Sequence, residues 1–107
     1  SVQSDAFEYE GAILDVAKSR ITYKNAEASL TFTELQILTA LFQHKGEYVS
    51  REAILDYCWQ NNQFIDDNTL AVNMTRIRKK LRAIQLDSFI ETKKNYGYRL
   101  NAESESL

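Results

Sequence analysis

A chain of 107 residues with 44% apolar and 26% charged residues has the composition of one globular domain, not of a disordered segment. No stretch approaches the roughly 18 apolar residues of a membrane helix, no signal peptide is visible, and the single cysteine, Cys58, excludes an internal disulfide. We expect Cys58 to be a buried apolar filler, which is consistent with a cytoplasmic location.

The first thirty residues predict four short strands. Phe7 and Tyr9 alternate with glutamates, and apolar segments follow at 12–16, 20–23 and 27–30. Gly11, Lys18–Ser19 and Asn25 mark the turns between them. Strands this close together favour an antiparallel meander. The domain is expected over residues 7–101, with tails at 1–6 and 102–107.

Two helices are predicted next. Thr31 and Glu34 have the spacing of a capping box at the start of the first. Its apolar stripe consists of Leu35, Leu38, Leu41 and Phe42, and Lys45–Gly46 ends it. Ser50 is the expected N-cap of the second helix, which runs to Trp59. A polar stretch, 60–63, follows it, with Phe64 and Ile65 as expected apolar anchors.

The third helix, DNTLAVNMTRIRKKLR over 67–82, is capped by Asp66 or Asp67. Its buried stripe is predicted to consist of Leu70, Met74, Ile77 and Leu81. The opposite, outward row is predicted to consist of Thr69, Val72, Asn73, Arg76 and Lys80. Arg can bind guanine or phosphate, Asn adenine, and Val a thymine methyl group, so this row suits the DNA major groove. The alternative is an ordinary solvated polar face.

Charge is divided unevenly along the chain. Residues 68–99 hold eight cations and two acids, whereas the remainder holds five cations and thirteen acids. This division indicates one electropositive working surface despite the net charge of −2.

Two strands near 89–92 and 96–100 predict a C-terminal hairpin, called the wing below, with Lys93, Lys94 and Asn95 at its tip. The lysines could serve only solubility. Beside a basic helix, however, they favour a reach toward an adjacent groove or phosphate. The predicted fold is α+β: a winged helix-turn-helix with an N-terminal four-stranded antiparallel sheet, three helices and the wing.

The chain resembles the OmpR/PhoB family of response-regulator effector domains. The first and second helices carry Leu30-Thr31-x-x-Glu34-Leu35, Val49-Ser50-Arg51-Glu52 and Leu55-x-x-x-Trp59. The third helix and wing carry Thr69-x-x-Val72-x-x-x-Arg76-Ile77-Arg78-Lys79-Lys80-Leu81 and Ile90-x-Thr92-x-x-x-x-Gly97-Tyr98-Arg99-Leu100. The run Phe64-x-Asp66-Asp67-Asn68-Thr69-Leu70-x-Val72-Asn73 is similar to the branch that regulates bacitracin and lantibiotic resistance.

The resemblance implies a two-component transcription factor that binds a direct-repeat operator as a head-to-tail homodimer. The implied DNA-binding residues of the third helix are Asn68, Thr69, Val72, Asn73, Thr75, Arg76, Arg78, Lys79 and Lys80. Those of the wing are Thr92, Lys93 and Lys94. A transactivation loop that contacts RNA polymerase is implied at Gln60, Asn61, Asn62, Gln63 and Phe64. The parent protein is expected to carry a receiver domain controlled by a histidine kinase.

Two other function classes are alternatives to DNA binding. An enzyme is not expected, because the sequence shows no Cys–His pairing at a plausible spacing, no phosphate-binding glycine loop and no metal cluster. We therefore expect no catalytic residues, no metal and no cofactor. A winged-helix module that binds a protein and not DNA remains open, because the rest of the chain is acidic.

Overall fold

The computed structural model describes residues 6–101. The helices are α1 (Phe32–Gln43), α2 (Arg51–Gln60) and α3 (Asp67–Ala83). The strands are β1 (Ala6–Tyr9), β2 (Ala12–Asp15), β3 (Arg20–Tyr23), β4 (Ala26–Ser29), β5 (Val49–Ser50), β6 (Ile90–Lys93) and β7 (Gly97–Leu100). The winged helix-turn-helix prediction is confirmed. The predicted C-terminal tail and residues 1–5 of the N-terminal one lie outside the described residues, and Ala6 already belongs to β1.

The N-terminal sheet is an antiparallel meander in the order β1-β2-β3-β4. Strand β4 begins one residue earlier than predicted, because the tight turn at Lys24 and Asn25 pairs Tyr23 with Ala26. Alternation along the strands places Ala12, Leu14 and Ile21, all fully buried, on the inner face. That face packs on α1.

Helix α1 is the centre of the domain. The predicted capping box is present: the Thr31 hydroxyl accepts from the Glu34 amide at 3.1 Å, and the Glu34 carboxylate accepts from the Thr31 amide at 2.9 Å. The single apolar stripe predicted for α1 is too narrow, since every residue from 34 to 42 is buried. The cause is that the N-terminal sheet, α2, α3 and β7 all pack against this helix.

Strand β5 is short and was not predicted. It adds a third strand to the wing, in the order β5-β7-β6, with Val49 opposite Tyr98 and Ser50 opposite Gly97. A methyl group at Gly97 would lie 1.9 Å from the carbonyl oxygen of Val49, so only glycine allows this approach. The wing is thereby joined to the start of α2, which Ser50 caps as predicted.

Cys58 is fully buried, and burial raises the pKa of its thiol to about 11. The thiol is therefore protonated at neutral pH, as a core side chain should be. Between residues 6 and 101, no helix is both long and apolar enough to cross a membrane.

Candidate nucleic-acid interface

The buried stripe of α3 confirms the sequence prediction. Its four members, Leu70, Met74, Ile77 and Leu81, are at most 2% exposed. Asp66 is the N-cap, and its carboxylate accepts from the Thr69 amide at 2.8 Å. This hydrogen bond lowers the pKa of Asp66, because it favours the ionised form. The cap begins the helix at a defined residue, and the stripe fixes its rotation.

The side of α3 opposite this stripe is exposed. It carries Asn68, Thr69, Val72, Thr75, Arg76 and Lys79. Val72 adds an apolar isopropyl group to this face and is 48% exposed. Among residues 6–101, no carboxylate forms a salt bridge with Arg76 or Lys79. Amide, hydroxyl, apolar and cationic groups are thus available together on one helix face.

Asn73 and Lys80 do not lie on this face, and their predicted outward position is wrong. Asn73 is 6% exposed and donates from Nδ2 to the carbonyl oxygen of Thr69 at 2.9 Å. Lys80 donates to the Ser29 carbonyl and to the Glu34 carboxylate. A step of four residues turns a helix about 40° beyond a full circle. A row such as 72, 76 and 80 therefore drifts from the exposed side to the border of the buried stripe.

Arg78 lies on the other border of the stripe. Its Nη2 donates to the carbonyl oxygen of Ile90 at 3.2 Å and to Oγ1 of Thr92. Two predicted DNA contacts, Arg78 and Thr92, are therefore bonded to each other within the domain. Successive strand residues point to opposite faces, so Thr92 faces α3 and Lys93 faces away from it.

Lys93 is the last residue of β6 and not part of the wing tip, contrary to prediction. Its ammonium lies 5.3 Å from the ring centres of both Tyr48 and Tyr96. The tip is formed by residues 94–96, and Asn95 there adopts a positive φ of 62°. Lys94 is exposed at this tip. Three wing residues were predicted to bind DNA: Thr92, Lys93 and Lys94. Thr92 contacts α3 and Lys93 contacts the two tyrosines. Within residues 6–101, Lys94 is the one of the three that lies at the exposed tip.

The outer face of the wing holds a cluster that the sequence reading missed. Arg99 lies 4.7 Å from the centre of the Tyr48 ring and pairs with Glu91, with Nη2 2.7 Å from Oε1. Hydrogen bonding to Glu91 raises the pKa of Arg99. The sequence did contain one signal for this cluster: Glu91 and Lys93 are two residues apart in β6, so their side chains share a face of the wing. Tyr48 could not be placed from sequence, because its position depends on the pairing of β5 with β7.

The predicted transactivation loop is compact. Gln60 belongs to α2 and Asn61 is its C-cap. The side-chain amide oxygen of Gln63, Oε1, accepts from the Thr33 hydroxyl at 2.6 Å. The predicted apolar anchor at Phe64 is wrong, because this residue is 65% exposed. Its ring lies edge-on to that of Trp59, itself 55% exposed, with 5.1 Å between the ring centres. Ile65 is the residue that packs on the core.

Comparison with known proteins agrees with this geometry. The family model described as "Transcriptional regulatory protein, C terminal" matches residues 25–100. The chain is 41% identical over 88 residues to the sensory transduction protein BceR of Bacillus subtilis (strain 168), covering 82% of this chain and 38% of that protein. It is 42% identical over 90 residues to the response regulator protein GraR of Staphylococcus aureus (strain bovine RF122 / ET3-1), covering 84% and 40%.

A solved structure of the C-terminal domain of the nisin resistance regulator NsrR, a lantibiotic response regulator, superposes with a TM-score of 0.81. It is 38% identical in sequence, and the match covers 88% of this chain and 95% of that one. The chain spans about two-fifths of the length of the curated relatives BceR and GraR. The similarity to these two relatives therefore concerns a part of each of them.

Proposed function

The chain belongs to the OmpR/PhoB-type family of transcriptional regulatory protein C-terminal domains, and from this premise we propose how it binds DNA. It is a transcriptional effector domain. In the proposed complex, α3 enters the major groove and the wing reaches the adjacent minor groove or backbone. The observation that carries this proposal is the exposed face of α3. Asn68, Val72 and Arg76 are exposed on the side of the helix opposite its buried stripe.

Each exposed side chain on α3 suits a contact with DNA. Arg76 can donate two hydrogen bonds to guanine, Asn68 can pair with adenine, and Val72 can cover a thymine methyl group. Lys79 and the hydroxyl of Thr69 suit phosphates. The Thr75 hydroxyl already donates to the carbonyl oxygen of Ala71 at 3.2 Å, so we assign it no phosphate contact. We do not assign DNA contacts to Asn73, which is 6% exposed and donates from Nδ2 to Thr69, or to Lys80, whose ammonium is bonded to Glu34.

Selection of binding sites from a random duplex pool, at two salt concentrations, tests the proposal. We expect enrichment of a direct repeat with half-site centres about one helical turn apart. If about five phosphates are neutralised per domain, log K should fall with log salt at a slope of about −4 to −5. No enrichment at low salt, or a slope near zero, contradicts DNA binding and supports the alternative of a protein-interaction module.

The direct repeat also tests the head-to-tail homodimer that we propose on DNA. A single domain has a small binding surface, so two tandem domains should bind much more tightly than one. The matched control is a duplex with one half-site scrambled. Equal affinity for the two duplexes would show that the domains bind independently.

We propose that the parent protein is a cytoplasmic two-component response regulator that controls antibiotic resistance. Its receiver domain would be phosphorylated by a separate histidine kinase. Support comes from the similarity to BceR and GraR, which are longer than this chain, and to NsrR, a regulator of nisin resistance. Phosphorylation is expected to favour dimers and so raise DNA affinity. A full-length protein that bound its operator equally well with and without a phosphate mimic would contradict this.

We also propose that the loop after α2 contacts RNA polymerase. The supporting observation is the exposed pair Trp59 and Phe64, which the bond from Trp59 Nε1 to the Ile65 carbonyl at 3.0 Å holds in place. Phe64→Ala should leave operator affinity unchanged and lower transcription in a purified system with polymerase. Val72→Ala, the control, should lower both. Unchanged transcription with Phe64→Ala would contradict the contact.

A further inference from the structure

Arg78 contacts both strands of the wing from its place on α3. Its Nη2 donates to Ile90 and Thr92 on β6, and its guanidinium carbon lies 5.8 Å from the centre of the Tyr98 ring on β7. Tyr98 is the cross-strand partner of Thr92. The side chains of Thr92 and Tyr98 therefore lie side by side on the face of the wing that is turned toward α3, and the Ile90 carbonyl belongs to the same strand as Thr92.

The two hydrogen bonds use both N–H groups of Nη2. The Ile90 acceptor is a backbone carbonyl and the Thr92 acceptor is a side-chain hydroxyl, two residues apart on the same strand. A planar guanidinium can reach two such acceptors while stacking on a ring, whereas a lysine ammonium lacks that shape. Arg78 thus connects helix α3 to both strands of the hairpin, and this set of contacts is called the strut below.

We propose that Arg78 is a positioning residue that sets the angle between α3 and the wing, with Thr92 as its partner on the wing. This inference rests on the proposed function, since it concerns how one domain engages two parts of DNA at once. Asn95 at the tip is three residues beyond Thr92, or about 10 Å in a strand. A tilt of about 10° at Thr92 would move the tip by about 2 Å, which exceeds the tolerance of a hydrogen bond.

The test compares variants that keep the positive charge at position 78 with one variant that removes it. Fluorescence anisotropy of the selected operator duplex, over about 50 to 200 mM salt, is measured for Arg78→Lys, Arg78→Met, Thr92→Val and Thr92→Ser. We expect Arg78→Lys and Thr92→Val each to weaken binding about tenfold with an unchanged salt slope. Thr92→Ser, which keeps the hydroxyl, should bind like the wild type.

Lys79→Met is the reference for a phosphate contact, and its salt slope should become shallower by about 1. Hydroxyl-radical footprints provide a second readout. In Arg78→Lys and Thr92→Val, protection by the wing should be lost while protection by α3 remains. The double variant Arg78→Lys/Thr92→Val should bind no more weakly than either single variant, because both remove the same strut.

A different pattern would overturn the inference. If Arg78 bound a phosphate, Arg78→Lys and Thr92→Val would bind like the wild type, and Arg78→Met would show the shallower slope of Lys79→Met. Thermal unfolding of each variant establishes that it is folded, and the exposed Thr92 allows the test even if Arg78 variants unfold. Failure of the proposed function is distinct, because the wild-type chain itself would then show no salt-dependent binding.

Discussion

Nζ of Lys80 lies 2.6 Å from Oε1 of Glu34, a residue that is only 1% exposed. The same carboxylate oxygen accepts from the Thr31 amide in the capping box of α1, and Lys80 also donates to the Ser29 carbonyl at 2.8 Å. One ammonium thus joins α3, the start of α1 and the end of β4. This pair, in which Glu34 is buried and the Lys80 side chain is 34% exposed, therefore links the DNA-binding helix to two other elements.

Lys80→Met should lower the free energy of unfolding by about 2 to 3 kcal/mol, because it leaves the Glu34 charge buried without its partner. Lys79→Met is the matched control on the exposed face and should stay within about 0.5 kcal/mol of the wild type. Urea denaturation measures both values. Salt titration of DNA binding should show the reverse, with a shallower slope for Lys79→Met alone; a Lys80→Met protein of normal stability and shallower slope would restore Lys80 as a phosphate contact.

Acid should weaken the cap of α3. The amide of Thr69 lowers the pKa of Asp66 below its ordinary value of 3.8, so the carboxylate is ionised more readily in the folded state. Its stabilising effect is therefore complete above the ordinary pKa and is lost as the pH falls through the folded pKa. Asp66→Asn keeps an acceptor that does not titrate. The stability difference between wild type and Asp66→Asn should change only below about pH 4, in chemical denaturation at a series of pH values; a constant difference would contradict this.

Gly97→Ala should damage the wing, because the new methyl group would overlap the Val49 carbonyl. We expect a loss of about 3 kcal/mol in stability together with weaker DNA binding. Gly11→Ala is the control: its φ of +88° strains any other residue, but among residues 6–101 the nearest contact of the new methyl group would be Tyr23, at an ordinary 3.6 Å. It should cost about 1 to 2 kcal/mol and leave DNA affinity unchanged. Equal DNA binding by the two variants would show that β5 pairing does not support the wing.

Arg76 and Lys94 should differ in kind. Arg76→Ala should cost about 1 to 3 kcal/mol of binding to the selected site and relax the preference at one base pair. Lys94→Ala should weaken binding to selected and unrelated duplexes alike, with a slope shallower by about 1. Competition with single-base variants of the operator measures the first effect. If Arg76→Ala left every preference intact, the proposed rotation of α3 in the groove would be wrong.

The sequence by itself determined the three helices, the N-terminal meander and the two strands of the hairpin, but neither β5 nor the exact ends of β4 and β6. The alternation near Phe7 and Tyr9, the capping box at Thr31, the N-cap at Ser50 and the stripe of α3 act over at most a few residues. Such local signals depend on backbone periodicity and nearby hydrogen bonds, which do not require knowledge of the remaining fold. The exposed face of α3 follows from the same periodicity, apart from its borders.

Only the tertiary structure decided what the border residues do. Lys80 bonds to residues 46 and 51 positions away, and Arg78 to residues 12 and 14 positions away. Residues with the same chemistry, such as Lys79 and Lys80, are separated by one position and about 100° of helix rotation. Whether a cation at such a border meets water, DNA or a buried carboxylate depends on which distant segment packs beside it. The attraction between two charges weakens as their separation grows, and the packing of the fold sets that separation.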